Sequence, residues 1–340
     1  MRIAVDAVGE SPLRPVLEGA LRAVKEEGHE LFLFGPAKAL NEELALLGGA
    51  ETPGLSVLDA PSSVTPQDDP AAACREKPDS GLMRSAEWVA LKRAEAMVSL
   101  GEPTAVVAAC LWHLKRLRGV LRPALLCTIT TPKGPCLLAD AGACLDSKPW
   151  HLLQFALMGT LYAQRVLKVA EPTVRLLAAG PCEGRSDELV REALPLLRYA
   201  GVRFMGTIRA GDLPRGGTDI VVANGTCGEV AARLLMGASA SMRDMIESEL
   251  RGGMLSKVGG ALSRGAIRRA GLSCGSVSAD GAPLLGVAGP VVLSLAPNSA
   301  DAFLGAIRTV AKLAESDIQE SLRERLEDVR SSMEFSKVVE

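Results

Sequence analysis

The stretch "CLLADAGACLDSKPWHLLQFALMG", residues 136–159, reads as a buried strand running into a turn and then a helix. Short β-rich apolar runs of the same kind recur along the chain as "RIAVDAV", "ELFLFG", "AVVAACL", "VRLLAAG", "RFMGTI", "DIVVANG" and "PVVLSLA", alternating with longer helical patterns. That rhythm predicts a mostly parallel sheet with crossover helices, a three-layer α/β/α architecture. Several of these strands end in small polar or glycine positions: Gly9, Gly35, Gly142, Gly180, Asn224 and Gly225. In open α/β sheets ligands collect beyond the carboxyl ends of the strands, where glycine lets backbone N–H groups approach an anion. Taken singly, each glycine is equally an ordinary strand-to-helix turn; taken together they predict a phosphate or oxyanion cleft.

Length and composition bound the rest. A chain of 340 residues with 48% hydrophobic content and a formal charge of -2 suits a globular protein with a substantial core, read here as a single domain over 1–340. Mean hydropathy is slightly positive, but it comes from dispersed Ala, Leu, Val and Gly. No apolar run approaches the roughly 18 to 20 residues that span a bilayer. "MRIAVDAVGE" reads as a first strand rather than an export signal, so a cytoplasmic location is expected. Eight scattered cysteines without a C-x-x-C pair, and three histidines, predict neither a metal site nor disulfides. The near-neutral charge argues against a dedicated nucleic-acid binder while leaving room for a local basic patch.

Residues 226–272 depart from the rhythm, because two helical segments follow one another with no strand between them. In the second, "MLSKVGGALSRGAIRRAG", Met254, Leu255, Val258, Ala261 and Leu262 share one face, and residues 251–279 hold five basic residues and no acidic one. An apolar face bordered by cations suits an anionic membrane or an acidic partner; a helical arm packed on a second subunit is the alternative. The tail over 315–335 keeps Ile318, Leu322, Leu326, Val329 and Met333 in register as a docked amphipathic helix.

Five blocks in order resemble the PlsX family, phosphate:acyl-carrier-protein acyltransferases. "MRIAVDAVGE" is similar to its M-x-I-A-V-D-A-M-G-G-D, and "TPQDDPAAACREKPDS" to its E-P-x-x-x-P-x-x-A-x-R-x-K-x-x-S. Residues 121–163 resemble its R-P-A-L and L-D-x-G-A-N-x-D-x-x-P-x-x-L-x-Q-F-A-x-M-G blocks, "VVANGTCGEV" its V-T-D-G-F-T-G-N-V, and "ADGAPLLGVAGPVV" its G-G-A-x-L-L-G-V-x-G-x-V. The resemblance implies a fold like that of isocitrate dehydrogenase and phosphotransacetylase, a protruding helical hairpin, a homodimer, and peripheral association with the inner face of the cell membrane. It also implies attack of orthophosphate on the thioester of acyl-carrier protein, giving acyl phosphate for phospholipid synthesis without a cofactor or metal. Onto this chain it carries Lys148, Arg185 and Asp140 as catalytic candidates. Gly9, Ser99, Gly101, Thr104, Gly142, Gly180, Asn224, Gly225 and Gly228 follow as substrate- or phosphate-binding candidates, and Leu255, Val258 and Leu262 as membrane or partner contacts.

The loops depart from that pattern. Val8, Gly9, Glu10 and Ser11 stand where the family has M-G-G-D; Glu102 and Pro103 replace Asn and Thr in its S-A-G-N-T-G-A loop. A carboxylate and a residue without an N–H both oppose anion binding. Cys144 replaces an asparagine, and reads as a substitution at a turn rather than a recruited nucleophile, with His151 its nearest possible base. Three functions follow: a divergent acyltransferase making acyl phosphate, a catalytically silent homologue acting as a carrier- or membrane-binding scaffold, and a phosphotransacetylase-like enzyme of small acyl groups.

Overall fold

The computed structural model describes residues 1–9, 12–179, 187–251, 276–295 and 299–339. Strands β1 (Arg2–Asp6), β2 (Glu30–Gly35), β3 (Leu55–Asp59) and β4 (Ala96–Ser99) open the chain, interleaved with helices α1 (Leu13–Glu27), α2 (Ala37–Leu46), α3 (Pro70–Glu76) and α4 (Gly81–Ala90). Then come α5 (Pro103–His113), β5 (Ala124–Thr131), β6 (Gly134–Ala139), α6 (Pro149–Arg165), β7 (Thr173–Leu177), α7 (Glu188–Tyr199), β8 (Arg203–Ile208), β9 (Ile220–Val222) and α8 (Gly225–Arg251). Strands β10 (Ser276–Val277), β11 (Ala282–Leu285) and β12 (Val291–Leu293) precede helices α9 (Ala300–Glu315) and α10 (Ile318–Val339).

The strands form one sheet ordered β3-β2-β1-β4-β12-β11-β5-β6-β9-β7-β8, with β10 paired to β5. Both wings are parallel, β3 to β12 on one side and β6 to β8 on the other; β11 and β5 are antiparallel to their neighbours and join them. The mostly parallel sheet of the sequence reading is therefore correct, and its antiparallel centre is new. Alternation along each strand feeds two cores. Ile3, Val5, Ala96, Val98, Leu137, Ala139, Ile220 and Val222 face one helical layer, while Ala4, Met97, Cys136, Leu138 and Val221 face the other. The first layer contains α1, α6, α7, α9 and α10, the second α3, α4, α5 and the start of α8.

One expected strand is a helix. "AVVAACL" lies inside α5, between the sheet and α3 and α4, with Ala105, Val106, Ala109 and Cys110 all buried. A helix buried on most sides loses its amphipathic period and imitates a buried strand. The true strand of this unit is β4, four residues long and just upstream. The helical segment expected from residue 226 is α8, and the rest of that arm, with Leu255, Val258 and Leu262, lies outside the described residues. The C-terminal helix expected over 315–335 spans Ile318–Val339, and Ile318, Leu322 and Leu326 are buried against the first core. Among the described residues no helix is long and apolar enough to cross a membrane.

Candidate active site

At the carboxyl ends of β1, β4 and β12 the two wings enclose a cleft of about 540 Å³. Its lining comes from Val8 and Gly9 after β1, Ser63 to Pro66 after β3, Leu100 to Pro103 after β4, and Ser294 and Leu295 after β12. Cys127 and Ala141 close the far side, and α8 supplies Glu229, Ala232, Arg233 and Met236. This is where an open α/β sheet is expected to hold a ligand.

The floor is organised by Asp6, a carboxylate at the end of β1 and only 2% exposed. It accepts the Ser99 hydroxyl at 2.6 Å, and Ser99 Oγ in turn accepts the Gly101 N–H at 3.0 Å. Burial pushes Asp6 up to about 7, against the lowering effect of hydrogen bonds from Ser99 and Val8. Gly9 must be glycine for packing alone, because a Cβ there would lie 2.4 Å from the Leu100 carbonyl oxygen. The Ser63 to Pro66 rim is tied by Lys77, whose Nζ donates to Ser63 O at 2.9 Å and to Asp68 at 2.7 Å. That ammonium, with the Thr65 N–H and hydroxyl, holds Asp68 down at about 2.

Glu102 caps α5. Its carboxylate accepts the N–H groups of Thr104 at 2.9 Å and Ala105 at 3.1 Å, so the chain's own anion occupies the positive end of this helix. Pro103 is the first helical residue, where an N–H would have no intrahelical partner, so its substitution costs nothing in hydrogen bonds. On the opposite wall Arg233 pairs with Glu229 at 2.8 Å. Cys127, on the far side of the cleft, is pushed up to about 12 by burial and stays a thiol. Ser294 is 3% exposed, and its hydroxyl has no hydrogen-bond partner among the described residues.

Asp140 sits under the junction between β6 and α6, fully buried. Its carboxylate accepts four N–H groups: Leu125 at 2.8 Å, Gly142 at 3.2 Å and Ala143 at 3.0 Å on Oδ1, and Cys144 at 2.7 Å on Oδ2. Burial still outweighs these donors and raises its pKa to about 6. Asp140, read from the sequence as a catalytic candidate, thus folds the 140–148 loop and is not among the residues lining the cleft. The start of α8 presses on the same loop. Asn224 caps it by accepting the Cys227 N–H at 2.8 Å, and the Gly225 N–H donates to Cys144 O at 3.2 Å. A Cβ on Gly228 would fall 1.8 Å from the Asp140 carbonyl oxygen. Glycine at 228 is thus required by a backbone-to-backbone contact.

Cys144 is buried, with Sγ 3.8 Å from His151 Nδ1. That nitrogen already accepts the Lys148 N–H at 3.0 Å. Burial raises the Cys144 thiol and lowers His151, so both groups are held neutral, as a turn residue and its neighbour would be. Lys148 lies across the loop from the cleft, in a separate basic pocket with His151 and Arg122. Arg185 and Gly180 lie outside the described residues. The structure therefore brings Gly9, Ser99, Gly101 and Thr104 together at one wall, gathers Asp140, Gly142, Asn224, Gly225 and Gly228 behind the loop, and puts Lys148 elsewhere. Sequence reasoning missed Asp6, Arg233, Ser294 and the 63–66 rim. Only Asp6 carried a local signal, a carboxylate ending an otherwise apolar strand. Among the described residues no three His, Cys, Asp or Glu side chains cluster to hold a metal.

The fold defines the class: a three-layer α/β/α scaffold shared with solved phosphotransacetylases. A phosphotransacetylase from Streptococcus pyogenes superposes with a TM-score of 0.62 at 15% identity, covering 92% of this chain and 94% of that one. The phosphotransacetylase EutD from Staphylococcus aureus gives 0.60 at 13% identity over 92% and 94%. The family model described as fatty acid synthesis protein matches residues 1–321, and the chain belongs to that family. A relative from Elusimicrobium minutum named phosphate acyltransferase is 38% identical over 98% of each chain. Another of that name, from Pelotomaculum thermopropionicum, is 34% identical over 99% of this chain and 96% of its own.

Proposed function

We propose that this chain transfers the acyl group of acyl-carrier protein to orthophosphate, releasing acyl phosphate for phospholipid synthesis. A phosphate oxygen attacks the thioester carbonyl carbon, the C–O bond forms as the C–S bond breaks, and the carrier sulfur leaves as a thiolate that takes a proton from solvent. Such a reaction needs positioning and fixed dipoles more than a side-chain nucleophile. The observation that carries the reading is the Ser294 hydroxyl, buried with no hydrogen-bond partner among the described residues and lining the cleft together with Gly9 and Gly101. An unsatisfied buried donor is costly unless a ligand meets it, and Ser294 lines the cleft where a ligand would bind. In this proposal Ser294 and Arg233 hold the phosphate, Asp140 positions the loop, and Lys148 serves the acyl donor. Arg185 keeps its sequence-level assignment as a cation for the site. The names of the relatives support phosphate as acceptor.

The enzyme acts as a homodimer held peripherally at the inner face of the membrane by the 226–272 arm. Incubation of the purified protein with palmitoyl-carrier protein and phosphate, quenched in hydroxylamine, is expected to yield acyl hydroxamate in a phosphate-dependent manner. A folded protein that gives no more hydroxamate than a protein-free control overturns the proposal and favours the silent-scaffold reading. Loss of vesicle binding in Leu255→Glu and Val258→Glu is the parallel test of the arm.

A further inference from the structure

A second cavity, of about 970 Å³, lies apart from the cleft. It lies where the C-terminus of α5, the 114–122 loop and the start of α6 meet, and it is lined by Lys115, Arg116, Arg118, Arg122 and Lys148. Asp146 is the carboxylate among its lining residues. Two of the cations are partly committed, Lys115 to Trp112 O at 2.7 Å and Arg116 to Leu121 O at 2.8 Å. Arg118, Arg122 and Lys148 are exposed and have no ion pair among the described residues. Holding five cations together against the single carboxylate of Asp146 costs energy, and the cost is recovered when an anion enters.

The rim points to a protein rather than a small anion. Trp112, Leu121 and Trp150 belong to these same segments and Leu145 to the 140–148 loop leading into α6, and each is between 42% and 52% exposed. Exposed tryptophans beside unpaired arginines are the composition of protein-binding hot spots. A second copy of this chain is a poor occupant, since a two-fold contact would set the basic patch against itself. The concavity of the site likewise disfavours a flat membrane. The 140–148 loop connects the pocket to the cleft: Ala141 lines the cleft and Asp146, five residues on, lines the pocket. The two are therefore at most about 18 Å apart.

We propose that this pocket is the docking site for an acidic protein face bearing exposed apolar residues and, resting on the function proposed above, that this face belongs to the carrier delivering the acyl thioester. Docking beside the cleft leaves the cleft open to an acyl group presented on a flexible arm. Charge at such a site acts chiefly on encounter and affinity, not on the chemical step.

The test compares two donors, palmitoyl-carrier protein and palmitoyl-pantetheine, in the parent, Arg118→Glu, Lys115→Glu and Arg118→Lys. Each reversal is expected to raise KM for palmitoyl-carrier protein about tenfold, more at low salt, with KM and kcat for palmitoyl-pantetheine unchanged and Arg118→Lys close to the parent. An equal change for both donors, or none for either, overturns the docking site. If the parent uses neither donor, the proposed function falls, and fluorescence anisotropy of labelled holo-carrier protein decides docking by itself: tight binding weakened about tenfold by Arg118→Glu supports it, and equal binding refutes it. Sedimentation with phosphatidylglycerol vesicles that is lost in both reversals while carrier binding persists would make the patch a lipid surface and overturn the proposal.

Discussion

Ser294→Ala separates the cost of the site from its use. The hydroxyl is buried and unpartnered among the described residues, and a buried donor left unmade costs about 1 to 3 kcal/mol. Removing it deletes that penalty at the expense of a few van der Waals contacts of one oxygen, for a net stabilisation of about 1 kcal/mol. In the proposed reaction the same hydroxyl donates to a phosphate oxygen, and a hydrogen bond to a charged group contributes about 1.5 to 3 kcal/mol. Losing it should lower kcat/KM for phosphate by about 10- to 150-fold. Urea unfolding and the hydroxylamine-trapping assay, run on the same preparations, check both signs. A variant whose kcat/KM stays within about twofold of the parent would refute the role of the hydroxyl. A variant destabilised by about 1 kcal/mol or more would show that Ser294 has a structural partner, which removes the premise.

Further predictions concern the loop and the helix ends. Asp140 has a raised folded pKa of about 6, so it holds its proton in the folded state where the unfolded chain has lost it. Its contribution to stability is complete below about pH 4 and falls by about 3 kcal/mol as pH rises through 6. Asp140→Asn turns an acceptor for the Cys144 N–H into a donor, and it should be destabilising at pH 4.5 by about 2 kcal/mol and much less so at pH 8. A penalty that grows with pH in denaturant titrations would contradict this account. Gly228→Ala drives a Cβ into the Asp140 carbonyl; a loss of about 3 kcal/mol or more is expected by thermal or urea unfolding. Glu102→Gln removes a negative charge from the cleft while keeping a capping oxygen, so KM for phosphate should fall about three- to tenfold as stability drops by about 1 kcal/mol. An unchanged KM would place Glu102 outside the field of the phosphate.

The local code of this chain was sufficient for its class. Apolar runs bounded by glycine or asparagine marked β1, β2, β6, β7, β8, β9 and β12 from neighbouring residues alone, because a strand buried on both faces is uniformly apolar. Ordered blocks along the whole chain carried the family, and the period of the tail marked α10 through Ile318, Leu322 and Leu326. Tertiary structure decided what local sequence left degenerate. "AVVAACL" became α5 because neighbours enclose it, and β5 and β11 paired antiparallel because contacts distant in sequence set the direction of a strand. The loop candidates were divided in the same way. Gly228 serves packing, Asp140 satisfies four backbone donors, and Lys148 faces a basic pocket rather than the cleft. A motif names which residues lie near a site, but whether a side chain meets a ligand, a backbone amide or solvent depends on burial and on partners many residues away, such as Asp6 with Ser99 and Gly228 with Asp140.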